Sequence, residues 1–80
     1  MISGQDLKSV RTAAKIELLD IFEASRISVN ILEAIEENYK HQLPSPIYLK
    51  GFLKSYAQFL GLIPEKIIAG YMYMAYLSQL

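Results

Sequence analysis

Eighty residues, 52% of them hydrophobic, make one small domain, since a chain this short buries only about 60% of its unfolded surface and needs a dense core. The lack of cysteine excludes disulfides and thiolate metal sites, and no uncharged apolar run reaches the roughly 18–20 residues of a membrane span. Eight basic and eight acidic side chains cancel, with five against seven in residues 1–40 (net −2) and three against one in 41–80 (net +2), a far weaker basic bias than phosphate binding requires.

Helical periodicity runs through the chain, without β-alternation, repeats or low-complexity stretches. The first predicted helix covers about 4–14, with Ser3 as cap, Asp6 three residues later, and Leu7, Val10 and Ala14 on one face. The second, about 17–25, turns Leu18, Ile21 and Phe22 inward. Its Glu17 and Asp20 sit in the first turn, where the helix dipole favours acids. The third, about 28–39, starts at Ser28 and buries Val29, Leu32 and Ile35, with Ile31 widening the stripe. Arg26 and Ile27 join helices two and three with the spacing of a helix-turn-helix.

The fourth helix, 46–60, is the most strongly punctuated. Ser45 suits its cap, Pro46 its first turn, and Gly61 a left-handed close. Leu49, Phe52, Leu53, Tyr56 and Leu60 fall at i, i+3, i+4, i+7 and i+11, a core-facing stripe. Tyr48, Phe59 and the stem of Lys50 flank it, an aromatic surplus that suits contact with something else. The fifth helix begins at Pro64 and Glu65 and runs through Ile67, Ile68, Tyr71 and Met72. From Ile67 to Leu80 there are fourteen residues without a charge, with apolar side chains on too many sides for one buried stripe. That tail reads as half core and half contact surface, for self-association through residues 67–80 or for a partner groove. Five helices with short loops imply a compact all-α domain spanning 1–80, with a central, lambda-repressor-like helix-turn-helix; the expectation is a domain excised from a longer protein.

Order and motifs together sharpen this reading. Leu32–Glu37 (LEAIEE), the turn Leu43–Pro46, the pattern Tyr48/Gly51/Phe52/Tyr56 and the start Gly61–Glu65 resemble the N-terminal helix-turn-helix domain of the RodZ family of bacterial cytoskeletal proteins. The likeness covers residues 3–71 and is most specific in its second half. It implies a cytoplasmic head of a membrane-anchored protein that docks on the bacterial actin homologue MreB. Carried over by position, the protein-binding residues are Tyr48 and Phe52, with Lys50 and Lys54 nearby. Similar domains are attached to J-domain co-chaperones, so the domain alone does not define a morphogenetic role. Two departures stand out: Phe22 replaces a small residue in mid-helix two, and Lys15 replaces a glycine before it. Both suggest an altered packing of the first two helices.

The rival reading is a DNA binder that uses Arg26, Ser28 and Asn30, with Asn30 pairing an adenine edge. Glu33, Glu36 and Glu37 bring three negative charges to the same helix with no base among them, so protein interaction ranks first. His41 is the only histidine and has no partner ligand type, and no nucleophile–base set can be assembled. No enzyme activity, cofactor or metal is therefore expected. Phe52 and Tyr56 are assigned to the core, while core and interface readings of Tyr48 stand level. Gly51 between the aromatics suggests a helix surface approached closely by another helix or a partner.

Overall fold

The computed structural model describes residues 2–77, the side chain of Leu77 excepted. All five helices form, the first four close to their predicted ends and the fifth from its predicted start. α1 spans Gly4–Ala13 and opens on a capping box: the Asp6 N–H donates to Ser3 Oγ at 3.2 Å, and the Ser3 N–H to the Asp6 carboxylate at 2.9 Å. The Ser3 N–H, and then the Ser3 hydroxyl at 3.0 Å from the same carboxylate, favour the ionised form and hold the Asp6 carboxyl below its ordinary value. α2 spans Leu18–Ser25, and the Glu17 N–H donates to Asp20 at 2.9 Å. α3 spans Val29–Glu37, with Ser28 Oγ accepting from the Ile31 N–H at 3.3 Å. A single 3-10 turn, Lys40–Gln42, leads through Leu43–Ser45 to α4, Pro46–Leu60. α5, Pro64–Met72, continues directly into a π-helical turn, Tyr73–Leu77.

Helix ends close in the left-handed region, and three of four do so without glycine. Lys15, Arg26 and Asn38 have φ of 59°, 65° and 58°, and Gly61 has 74°. At α4 the Leu62 N–H reaches the Ala57 carbonyl at 2.9 Å, the bond that seals a Schellman end. The helix-turn-helix joint needs only Arg26 in this conformation, because Ile27 then drops into the core and Ser28 caps α3.

The core forms where α4 meets α5 and α2, and where α1 lies across α3. Leu49, Leu53, Tyr56 and Ala57 carry α4 inward, and Ile21, Leu32, Ile35 and Tyr71 meet them. Burial raises the Tyr71 hydroxyl well above its ordinary pKa, and its O–H donates to the Ile35 carbonyl at 2.8 Å, tying α5 to α3. α1 and α2 make little direct contact with one another. Phe22 is half-buried, with the Arg26 guanidinium 5.8 Å from its ring centroid.

One expected face is corrected. Val10 and Ala14 are exposed, and the inward side of α1 carries Gly4, Leu7 and Arg11. Gly4 presses onto α3 so closely that a Cβ there would lie 2.2 Å from the Ile35 carbonyl oxygen. With α1 held that near, Arg11 points into the domain, where a carboxylate awaits it.

Candidate protein-docking site

α4 has two sides with different chemistry, and its inner side is locked. The Tyr56 O–H donates to Glu36 Oε2, at the centre of a buried group drawn from three helices. Arg11 Nε donates to the same oxygen at 2.6 Å and Arg11 Nη2 to Glu36 Oε1 at 3.0 Å. Arg11 Nη1 also caps the Ile16 carbonyl at 2.7 Å. Glu36 is 2% exposed, and the carboxylate holds the guanidinium in its charged form. Desolvation first, and then the bond to Glu36, push the Tyr56 hydroxyl far above its ordinary range. This clamp fixes α4 against α1 and α3, and so fixes which residues its outer side shows.

Those residues are Ile47, Tyr48, Lys50, Gly51 and Lys54, all exposed. Tyr48 is 67% exposed and Ile47 82%, the most exposed of the large apolar side chains described. Phe52 is half-buried against the core, so the structure splits the carried-over aromatic pair: Tyr48 stands out, while Phe52 borders the core and shows one edge. Phe59 continues that border one turn beyond Ser55, so aromatic surface runs along one flank of the outer side. Lys50 and Lys54 lie on the other flank, and neither has a carboxylate partner among the described residues. α4 itself contains no Asp or Glu. Sequence reasoning missed Ile47. Its signal was position: it stands next to Pro46, on the side of the helix opposite Leu49, Leu53 and Leu60.

The DNA-reading residues take a different place. Arg26, Ser28 and Asn30 are exposed together at the helix-turn-helix joint and the start of α3. The expectation that three acids crowd this surface is corrected. Glu36 is core, and Glu37 turns toward α1, where Lys8 Nζ donates to it at 2.8 Å and Gln5 Nε2 at 3.3 Å. That bond raises the Lys8 pKa. Only Glu33 remains beside Asn30, and α3 carries no Lys or Arg.

In the tail, Ile67, Tyr71 and Ala75 are buried, while Tyr73 and Tyr76 are exposed. The Tyr76 O–H donates to the Pro44 carbonyl at 3.4 Å. Residues 78–80 of the predicted contact segment lie outside the described residues. His41 sits exposed on the 3-10 turn. No helix among the described residues is long and apolar enough to cross a membrane.

A helix-turn-helix braced by three further helices, with an aromatic and basic outer face on α4, defines an all-α helix-turn-helix domain. The chain belongs to the family described as "Helix-turn-helix domain", whose model matches residues 6–67. It is similar to the "Cytoskeleton protein RodZ" of Streptococcus pneumoniae (strain ATCC BAA-255 / R6), with 32% identity over 68 residues, covering 85% of this chain and 25% of that protein. It is also similar to an "Uncharacterized protein" of Haemophilus influenzae (strain ATCC 51907 / DSM 11121 / KW20 / Rd), with 34% identity over 65 residues, 80% of this chain and 21% of the relative. The chain thus spans a quarter or less of the curated relatives it matches. No solved structure matches it.

Proposed function

We propose that this domain is a non-catalytic docking head that captures a second protein on the outer side of α4, and that the partner is an actin-like bacterial filament of the MreB type. The observation that carries this reading is the exposure of Tyr48 beside Ile47 on a helix whose other side is clamped by the Glu36 group. Likeness to a RodZ, named a cytoskeleton protein, supports the choice of partner. Covering the exposed two-thirds of Tyr48 would remove roughly 100–150 Å² from water, worth about 3 kcal/mol. Lys50 and Lys54 add steering toward an acidic surface. By the same likeness the domain would sit in the cytoplasm, as the head of a membrane-anchored protein.

Co-sedimentation with purified MreB filaments tests this. Tyr48→Ala should weaken capture by about 30-fold or more, the loss of a hot spot of about 2 kcal/mol. Its melting temperature should stay nearly that of the parent, as surface substitutions cost within about 0.5 kcal/mol. A large fall in melting temperature would return Tyr48 to the core and remove the main residue of the site. DNA binding through Arg26, Ser28 and Asn30 is the weaker reading, because α3 has no base to meet phosphate. Steeply salt-dependent binding to one duplex, abolished by Asn30→Ala, would reverse that order.

A further inference from the structure

The chain has four glycines, and three of them have a reason inside the molecule. A Cβ at Gly4 would strike the Ile35 carbonyl oxygen at 2.2 Å, and one at Gly70 would lie 2.7 Å from Ile2 Cγ1. Gly61 holds a φ of 74°. Gly51 has neither kind of reason. Its φ is not positive, and a Cβ built there meets nothing within 4 Å. It stands in the middle of a 15-residue helix, where glycine is weaker than alanine. Its helix-surface neighbours at three and four residues are Ile47, Tyr48, Lys54 and Ser55. A bare strip of backbone therefore opens at the centre of the outer face, ringed by the two most exposed apolar side chains of α4, a lysine and a hydroxyl.

We infer that Gly51 is the close-approach point of the docking site, and that its occupant is a helix of the partner protein crossing α4 there, with carboxylates on its flank to meet Lys50 and Lys54. This rests on the docking reading and adds the shape and charge of what docks. A hole of this kind admits a ridge from a crossing helix, and the missing Cβ lets the two backbones come near. The charge follows from α4, which carries two exposed lysines without a carboxylate partner among the described residues and no acid of its own.

Gly51→Ala decides the point, with Tyr48→Ala as reference and purified MreB filaments as the probe. Open space around the new methyl and better helix propensity should raise the melting temperature by about 2–8 °C. Capture should nevertheless weaken by at least about fivefold, as a methyl wedged into a packed contact does. Lys54→Glu should weaken capture as well. Three results overturn the inference. If Gly51→Ala binds as the parent does while Tyr48→Ala fails, the docking face stands and the close approach is wrong. If Gly51→Ala lowers the melting temperature, its glycine has an internal reason after all. If Lys54→Glu leaves capture unchanged or tightens it, the acidic flank is wrong. Should the parent chain itself fail to co-sediment, the docking reading falls, and this inference falls with it.

Discussion

Removing one member of the buried Arg11–Glu36–Tyr56 group should bring the domain near collapse, whereas removing all three should not. In Arg11→Met, the Glu36 carboxyl group, 2% exposed, loses both guanidinium bonds and retains only the Tyr56 hydroxyl as donor. The Ile16 carbonyl also loses its 2.7 Å bond. Breaking a buried pair by removing one partner costs about 3–5 kcal/mol, because the group left behind is buried without its compensation. A domain of this length has roughly 4–12 kcal/mol in total. Urea unfolding followed by far-UV circular dichroism should therefore show a midpoint lowered by several molar, with part of the population unfolded in plain buffer. Exchanging the group together (Arg11→Met, Glu36→Leu, Tyr56→Phe) removes the charges and the stranded hydroxyl at once. Its midpoint should return to near or above that of the parent, since apolar replacements of a buried pair are often neutral or stabilising. A loss below about 1 kcal/mol for the single change would refute the account, as it would match a solvent-exposed pair. A triple variant no more stable than the single would refute it too.

Two further outcomes follow from other parts of the fold. Lys15→Gly should stabilise by roughly 0.5–1 kcal/mol, because Lys15 sits at φ 59° where a Cβ is strained, and glycine relieves that strain while adding some unfolded-state entropy; an unchanged urea midpoint would refute it. Stability should fall above about pH 10. Tyr56 and Tyr71 both have folded pKa values raised from 10.0, so each contribution is complete below that value and is lost as pH climbs toward the folded one. Each tyrosine adds up to about 1.4 kcal/mol per pH unit to the decline, and Tyr71→Phe should visibly flatten it. An equally steep decline in that variant would count against the assignment.

Much of the scaffold was legible before any coordinates. The Ser3–Asp6 box, the Ser28 cap, Pro46 and Gly61 are local signals, satisfied within one turn of backbone, and each stands where the pattern put it. The helix-turn-helix was legible for the same reason: its joint is two residues long and its flanking stripes repeat at helical steps. The candidate site was legible in part. Tyr48, Lys50 and Lys54 lie off the core stripe by simple periodicity, and all three are exposed. Phe52 lies on that stripe, which points it inward, yet it is only half-covered at the stripe's edge. Ile47 lies off the core stripe, and nothing in the apolar pattern marks it, because a hydrophobic residue need not be buried.

The number, order and starts of the five helices, and the family to which the chain belongs, are written in the sequence, because caps, breaks and apolar spacing act over a few residues. Tertiary structure alone decided which charges go inside. Arg11 and Glu36 are 25 residues apart, and Glu36 and Tyr56 are 20 apart, so no local pattern joins them. Read separately, an arginine and a glutamate belong in water. Brought together by the press of Gly4 on α3, they become a partnered core group that turns α4 to show Tyr48, Ile47 and the bare backbone at Gly51.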